Sequence, residues 1–327
     1  MTKLTLGKLA GIAGVALALS LSIARAENWD VATPYPEANF HTQNIIQFAK
    51  DVEEATEGAL TFTVHPANSL IAHPEIKNSV RSGTIPAGEF LLGQLANEHP
   101  IFELDMLPFI VGGYDDARAI WAASKERVTE LLGRQNLRVL FSVPWPNNGI
   151  YSSREINTPR DIGGLKMRTY NATTDRLAEL LGAVPTQVEV SDISQAFAMG
   201  RVEAVITSAA TGVSISAWDF VDRYYDVNSF LGKNIVVVNE RRFAALPAEV
   251  QEAVLKAAEA AEVRGWEASV KNNQDMAAVL VSKGMNVQKV APEVEARFKE
   301  VGQTILREWL ARASEEDAAV VKGFLKD

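Results

Sequence analysis

Hydrophobic and polar positions alternate in a way that predicts strands and helices in turn along the first half of the chain. Asn39 is placed to cap a helix whose apolar stripe is Ile45, Phe48 and Val52, and Gly58 stands where that helix needs a C-terminal cap. The same patterns predict strands over 29–33, 59–65, 85–92 and 138–143 and helices over 74–81 and 115–133. The turn-rich segment 144–149 then interrupts the pattern, and we interpret it as a crossing between two domains.

The second half continues this alternation without repeating the sequence. Strands are predicted over 165–170, 204–207 and 234–239, and helices over 173–181 and 191–199. An unusually long helical pattern runs from Pro247 to Gly284, which corresponds to about 50 Å of helix. A helix of that length is expected to run across both domains. We therefore predict α/β domains with parallel-rich sheets, in which ligands bind in crevices at the strand ends.

The N-terminus has the layout of a secretory signal peptide. Lys3 and Lys8 precede an apolar stretch over residues 9–23, and Ala24 to Ala26 fit a small-x-small cleavage site. A membrane anchor is the alternative, although about 15 apolar residues are few for a span. We expect cleavage after Ala26, without a lipid anchor because no cysteine follows, and a periplasmic mature protein.

Composition excludes several function classes. The chain has 327 residues, a length that favours two domains, and its net charge of -9 argues against non-specific nucleic-acid binding. It has no cysteine and only four histidines, without a metal-ligand spacing, so neither a metal nor a cofactor is expected. Phosphate-binding glycine loops, Gly-x-Ser-x-Gly and His-Glu-x-x-His are absent from the sequence. His41, in the first turn of the first helix, is either a cleft residue or a structural histidine.

One segment carries a family resemblance. Asn157-Thr-Pro-Arg-Asp-Ile-Gly-Gly-Leu-Lys-Met-Arg168 resembles the Thr-Pro-x-Asp-x-x-Gly-Leu-Lys-x-Arg pattern of TRAP-transporter solute-binding proteins. Further segments match that family in order, namely Val80 to Ile85, Leu107-Pro-Phe109, Gly182-Ala-Val-Pro-Thr186 and Ser191 to Ala204. The resemblance therefore spans nearly the whole chain after residue 26.

The resemblance implies a receptor with two lobes, a ligand-binding cleft and hinge closure. Such a receptor delivers a small organic acid to a small and a large membrane subunit. In the family, the arginine that ends the pattern binds the solute carboxylate, and here that position is Arg168. A guanidinium offers two parallel charge-assisted hydrogen bonds to a carboxylate and stays charged at neutral pH.

This chain departs from the family members that bind sialate and dicarboxylates. Where those proteins carry a second basic residue, the neighbourhood here is Asn147-Asn148-Gly149, and the segment Thr207 to Gly212 replaces an asparagine after the strand. A single cation and several aromatic side chains favour a monocarboxylate with an apolar, aromatic or 2-oxo body. Trp218 is the strongest aromatic candidate, because it follows the segment after the 204–207 strand.

We thus predict an α/β, two-lobed fold like that of periplasmic binding proteins, with a long helix spanning both domains. The expected divisions are 1–26 signal peptide, 27–145 with the C-terminal elements as domain I, 146–245 as domain II and 246–284 as the inter-domain helix. The candidate ligand-binding residues are Arg168, Thr207, Ser208, Trp218, Phe40, His41, Phe90, Trp145, Asn148 and Tyr170. The alternatives are an exported hydrolase or lyase that acts on a small carboxylate, and a receptor for another class of transporter.

Overall fold

The computed structural model describes residues 26–324, and within them eleven strands form two separate sheets. The strands are β1 (Glu27–Ala32), β2 (Leu60–His65), β3 (Ala87–Leu91), β4 (Leu137–Pro144), β5 (Asn148–Ser152), β6 (Lys166–Thr169), β7 (Val184–Gln187), β8 (Ala204–Ser208), β9 (Arg223–Asp226), β10 (Lys233–Asn239) and β11 (Asn286–Lys289). The helices are α1 (Phe40–Ala55), α2 (His73–Ser82), α3 (Tyr114–Gly133), α4 (Ala172–Leu180), α5 (Ile193–Ala198), α6 (Ala209–Ser214), α7 (Glu240–Ala244), α8 (Ala248–Ser282), α9 (Pro292–Arg312) and α10 (Glu315–Lys322). The predicted signal peptide, apart from Ala26, lies outside the described residues.

The first sheet has the strand order β2-β1-β3-β10-β4, and helix α1 packs on it. The predicted cap of α1 is confirmed, because the side chain of Asn39 accepts a hydrogen bond from the backbone N–H of His41 at 3.0 Å. The predicted stripe is also confirmed. Ile45, Phe48 and Val52 are buried in one cluster with residues of β1, β4 and β10.

The second sheet has the order β11-β9-β5-β8-β6-β7. The strand predicted at 234–239 is confirmed as β10, but it does not belong to this sheet. It pairs antiparallel with β3 and β4 in the first sheet, although the sequence interpretation grouped 146–245 together. All seven residues of β10 are buried, so the backbone N–H and C=O groups along both of its edges need partners on neighbouring strands. Sequence alone does not identify those two strands. The chain therefore crosses between the sheets at 145–147 and again at 227–232.

The predicted long helix is confirmed as α8, with 35 residues. It contacts α1 and β4 on the side of the first sheet and α6 and β11 on the side of the second. Gly265 allows this helix to approach closely, because a Cβ atom there would lie 2.3 Å from Val143 Cγ2 and 2.8 Å from Asn44 Nδ2. The side chain of Asn44 in turn donates to the carbonyl of Ala261 at 2.9 Å.

Candidate functional site

A cavity lies between the two sheets, where β1, β3, β6, β7 and β8 reach their carboxyl ends. The space open to the centres of water molecules in it is about 60 Å³, which is room for a small solute. The wall consists of Tyr35, His73, Leu91, Met106, Trp145, Pro146, Asn148, Arg168, Tyr170, Glu189, Val190, Thr207, Ser208, Thr211, Phe230 and Gly232. Binding at the carboxyl ends of strands is the arrangement expected for sheets of this kind.

Arg168 supplies the cation of this cavity. Its side chain is almost completely buried, its Nε donates to the carbonyl of Val188 at 2.7 Å, and its guanidinium lies 4.5 Å from the ring centre of Tyr170. Within residues 26–324 its two terminal amino groups make no hydrogen bond, and no carboxylate oxygen lies within 4.0 Å of them. Burial lowers the pKa of Arg168, although the tyrosines and Glu189 oppose that shift. A buried cation of this kind is stabilised by an anion.

His73 and Glu189 form the second charged feature of the wall. His73 Nδ1 lies 3.1 Å from Glu189 Oε2, and the backbone N–H of Leu91 points to His73 Nε2 at 3.4 Å. Because Nε2 accepts from Leu91, we assign the imidazole proton to Nδ1, from which it is donated to Glu189. The side-chain amide of Gln94 also lies 3.2 Å from Nδ1, so this assignment places the amide oxygen of Gln94, rather than its nitrogen, toward the imidazole. Burial alone would raise the pKa of Glu189, but His73 and then Arg168 outweigh it, so the net shift is downward. Glu189 is therefore a carboxylate at neutral pH.

Neutral polar groups complete the wall. Asn148 Oδ1 accepts from the backbone N–H of Ser229 at 3.0 Å and from its hydroxyl at 2.9 Å. The amide nitrogen of Asn148 is thus left as a donor at the cavity. Ser208 caps α6, because its Oγ accepts from the backbone N–H of Thr211 at 3.1 Å. Burial raises the pKa of Tyr170 to about 12, despite the opposing charge of Arg168, so this phenol stays protonated.

A buried network behind the cavity fixes two of its aromatic side chains. Asn234 Oδ1 accepts from Trp145 Nε1 at 2.8 Å and from the Tyr35 hydroxyl at 3.2 Å. Its Nδ2 donates to Glu89 Oε1 at 2.9 Å, and Thr33 Oγ1 donates to the other oxygen of Glu89 at 2.6 Å. A single amide therefore connects a buried carboxylate to both rings.

The ten residues expected from the sequence divide into two groups. Arg168, Trp145, Asn148, Tyr170, Thr207 and Ser208 line the cavity. Phe40, His41, Phe90 and Trp218 lie outside it.

Packing against other parts of the protein explains why these four side chains lie outside the cavity. The rings of Phe40 and His41 lie behind Trp145, 5.5 Å and 4.1 Å from it between ring centres. The ring of Phe90 borders a separate polar cleft. Trp218 lies beyond α6, 5.2 Å from Lys283 Nζ, because residues 209–214 form a helix between the strand end and Trp218. These residues remain predictions as ligand contacts.

Several wall residues were missed by the sequence analysis, among them Tyr35, His73, Met106, Glu189 and Phe230. None stands in the segments that carry the family resemblance. The helix predicted over 74–81 begins one residue earlier in the structure, with His73 as the first residue of α2. Glu189 comes just after strand β7, and its place after a strand end is the one signal in the sequence that could have pointed to it.

Residues 26–324 contain no group of three or more histidine, aspartate or glutamate side chains that could hold a metal ion. No helix in this range is long and apolar enough to cross a membrane.

Two sheets joined by crossing segments, a bridging helix and a small cavity between strand ends define the class of bacterial solute-binding receptors. A family model described as bacterial extracellular solute-binding protein, family 7 (DctP), matches residues 32–313. The chain belongs to this family.

Solved structures of related proteins agree with this assignment. DctP7 of Bordetella pertussis, an extracytoplasmic solute receptor that binds pyroglutamic acid, is 36% identical, with 92% of this chain and 100% of that chain covered and a TM-score of 0.90. A marine metagenome TRAP solute-binding protein specific for pyroglutamate is 34% identical over 92% of this chain and 99% of that chain, with a TM-score of 0.89. A galacturonate-bound protein from Sulfitobacter, at 20% identity over 91% and 99% of the two chains and a TM-score of 0.83, shares the fold.

The protein is accordingly a solute receptor of a TRAP transporter, which works with membrane components. Its family consists of extracytoplasmic transport receptors. The alternatives of an exported hydrolase and of a receptor for another transporter class are not favoured by these findings.

Proposed function

We propose that the solute of this receptor is pyroglutamate or an equally small cyclic monocarboxylate. The observation that carries the proposal is the Arg168 guanidinium, buried in a small cavity with two amino groups free of protein acceptors within the described residues. Relatives at 34% and 36% identity that bind pyroglutamate support the same solute.

The cavity offers one group for each part of such a molecule. Arg168 would bind the carboxylate through two parallel hydrogen bonds, and its contacts with Val188 and Tyr170 hold the guanidinium in place for that purpose. Leu91, Met106 and Phe230 give the methylene groups of the ring an apolar wall. A hydroxylated sugar acid would bring several hydroxyl groups against this apolar part of the wall, where they would find no hydrogen-bond partner.

The mode of action we propose is closure of two lobes over the solute, each built around one sheet. Segments 145–147 and 227–232 would act as the hinge, since the chain crosses between the sheets there. Closure is favoured only to the extent that the solute contacts both lobes, and the wall of the cavity contains side chains from both sheets. In this proposal the protein acts as a receptor without enzymatic activity, in the periplasm, after removal of the signal peptide 1–26.

Solute extraction and titration test this proposal together. The protein is purified from cells, unfolded to release bound small molecules, and the extract is analysed by mass spectrometry. The solute-free, refolded protein is then titrated by calorimetry with pyroglutamate, succinate and glucuronate. We expect pyroglutamate in the extract and tight binding of pyroglutamate alone. Tight binding of succinate or glucuronate with no heat from pyroglutamate would contradict the proposed solute.

A further inference from the structure

Glu189 is an acidic side chain in the wall of a cavity whose proposed solute is itself an anion. Its Oε2 accepts from His73 at 3.1 Å, whereas its Oε1 makes no hydrogen bond within residues 26–324. The side chain of Glu189 is 20% exposed, and it borders the same space as Arg168. The cavity therefore presents a positive and a negative group side by side.

Separate contacts hold these two charges apart. Arg168 is held by the carbonyl of Val188 and by the ring of Tyr170, and Glu189 is held by His73. Their charged atoms do not come within 4.0 Å of each other, so they form no ion pair. A solute can therefore bind both groups at once if its carboxylate lies beside a hydrogen-bond donor.

We propose that Glu189 Oε1 accepts a hydrogen bond from an N–H group next to the carboxylate-bearing carbon of the solute, and so selects lactam acids. The inference rests on the proposed function, because Arg168 must first place the carboxylate. Pyroglutamate has this pattern, with its ring N–H on the carbon that carries the carboxylate. A 2-oxo acid, which the sequence led us to expect, presents an acceptor at that place and faces the carboxylate of Glu189 unfavourably.

His73 orients the side chain at position 189. The Leu91 N–H occupies Nε2 of the imidazole, so Nδ1 carries the proton and donates it to the oxygen of residue 189, 3.1 Å away. In the variant Glu189→Gln, the amide oxygen would be used by His73 and the amide N–H₂ would face the solute. The acceptor for the lactam N–H would then be replaced by a donor, with little change in the shape of the side chain.

The first measurement needs no variant. Solute-free wild-type protein is titrated with pyroglutamate and with the carbocyclic ketone acid in which a methylene group replaces the ring N–H. The two ligands share carboxylate, carbonyl and ring size. We expect the ketone acid to bind about tenfold to a hundredfold more weakly, since it leaves the charged acceptor of Glu189 unpaired. Affinities within a factor of two would overturn the inference about Glu189, while the proposed function would stand.

The second measurement compares Glu189→Gln with Glu155→Gln, a substitution at a side chain that is 66% exposed and lies outside the cavity wall. Glu189→Gln should weaken pyroglutamate binding about tenfold or more and bring its affinity close to that of the ketone acid. Glu155→Gln should leave both affinities and their ratio unchanged. An unchanged ratio in Glu189→Gln would overturn the inference. If wild-type protein does not bind pyroglutamate at all, the proposed function fails and the inference fails with it.

Discussion

Replacing Asn234 with alanine tests whether the buried network positions the wall of the cavity. The amide of Asn234 is 1% exposed and makes three hydrogen bonds, with Trp145, Tyr35 and Glu89, at 2.8, 3.2 and 2.9 Å. Alanine would leave all three partner groups without this contact inside the protein. Each buried group left unpaired costs about 1–3 kcal/mol, so with three such groups we expect Asn234→Ala to lower the free energy of unfolding by roughly 3–9 kcal/mol.

The assay is urea unfolding followed by circular dichroism, with calorimetric titration of pyroglutamate on the folded variant. Asn272→Ala is the matched control, because this partly buried amide donates only to the carbonyl of Ala268 in its own helix at 2.8 Å. The control should change stability by no more than about 1 kcal/mol. Asn234→Ala should also weaken solute binding, since Tyr35 and Trp145 belong to the cavity wall. Equal stability of the two variants would refute the role given to the network.

Three further outcomes follow from particular contacts. In Gly232→Ala, a Cβ atom 2.3 Å from Met106 Sδ would push the thioether into the cavity, so calorimetry should show about tenfold weaker solute binding. The control Gly133→Ala, whose Cβ atom would meet no atom within 4 Å, should bind the solute as wild type does. Burial lowers the pKa of His41 despite the neighbouring Glu89. As the pH falls below about 6.5, the unfolded chain therefore takes up a proton at His41 before the folded protein does, and the free energy of unfolding decreases. Urea titrations between about pH 5 and 7 should show a smaller decrease in His41→Gln than in wild type. Small-angle scattering should show a smaller radius of gyration with saturating pyroglutamate, and an unchanged profile would count against closure of the lobes.

The sequence was most informative where one local signal decides the structure. The cap at Asn39, the stripe of α1 and the length of α8 each depend on residues close together in the chain, and all three predictions are confirmed. The placement of β10 depends on pairing with strands about 90 and 150 residues earlier, which no local pattern specifies. The strand itself was predicted correctly, but its pairing in the first sheet could not be foreseen from the residues around it.

The wall of the cavity shows the same difference between local and long-range information. Arg168 was found because it ends a recognisable segment, Trp145 because it is an aromatic side chain in the predicted crossing, and Asn148 because it stands in the neighbourhood where other family members carry a second basic residue. Glu189 was missed because its significance depends on His73, 116 residues earlier in the chain, and on Arg168 across the cavity. Trp218 was placed near the cavity because helix α6 was not anticipated.

Calorimetry of pyroglutamate binding to Arg168→Lys tests the role of this guanidinium directly. Wild type and Arg160→Lys, a change at an exposed arginine of the same segment, are the controls. Lysine keeps the positive charge but loses the paired geometry and the contact with Val188. We expect a loss of about 2–5 kcal/mol in binding free energy for Arg168→Lys, no change for Arg160→Lys, and folded protein in both cases. Wild-type affinity in the folded Arg168→Lys variant would contradict the claim that this guanidinium binds the solute carboxylate.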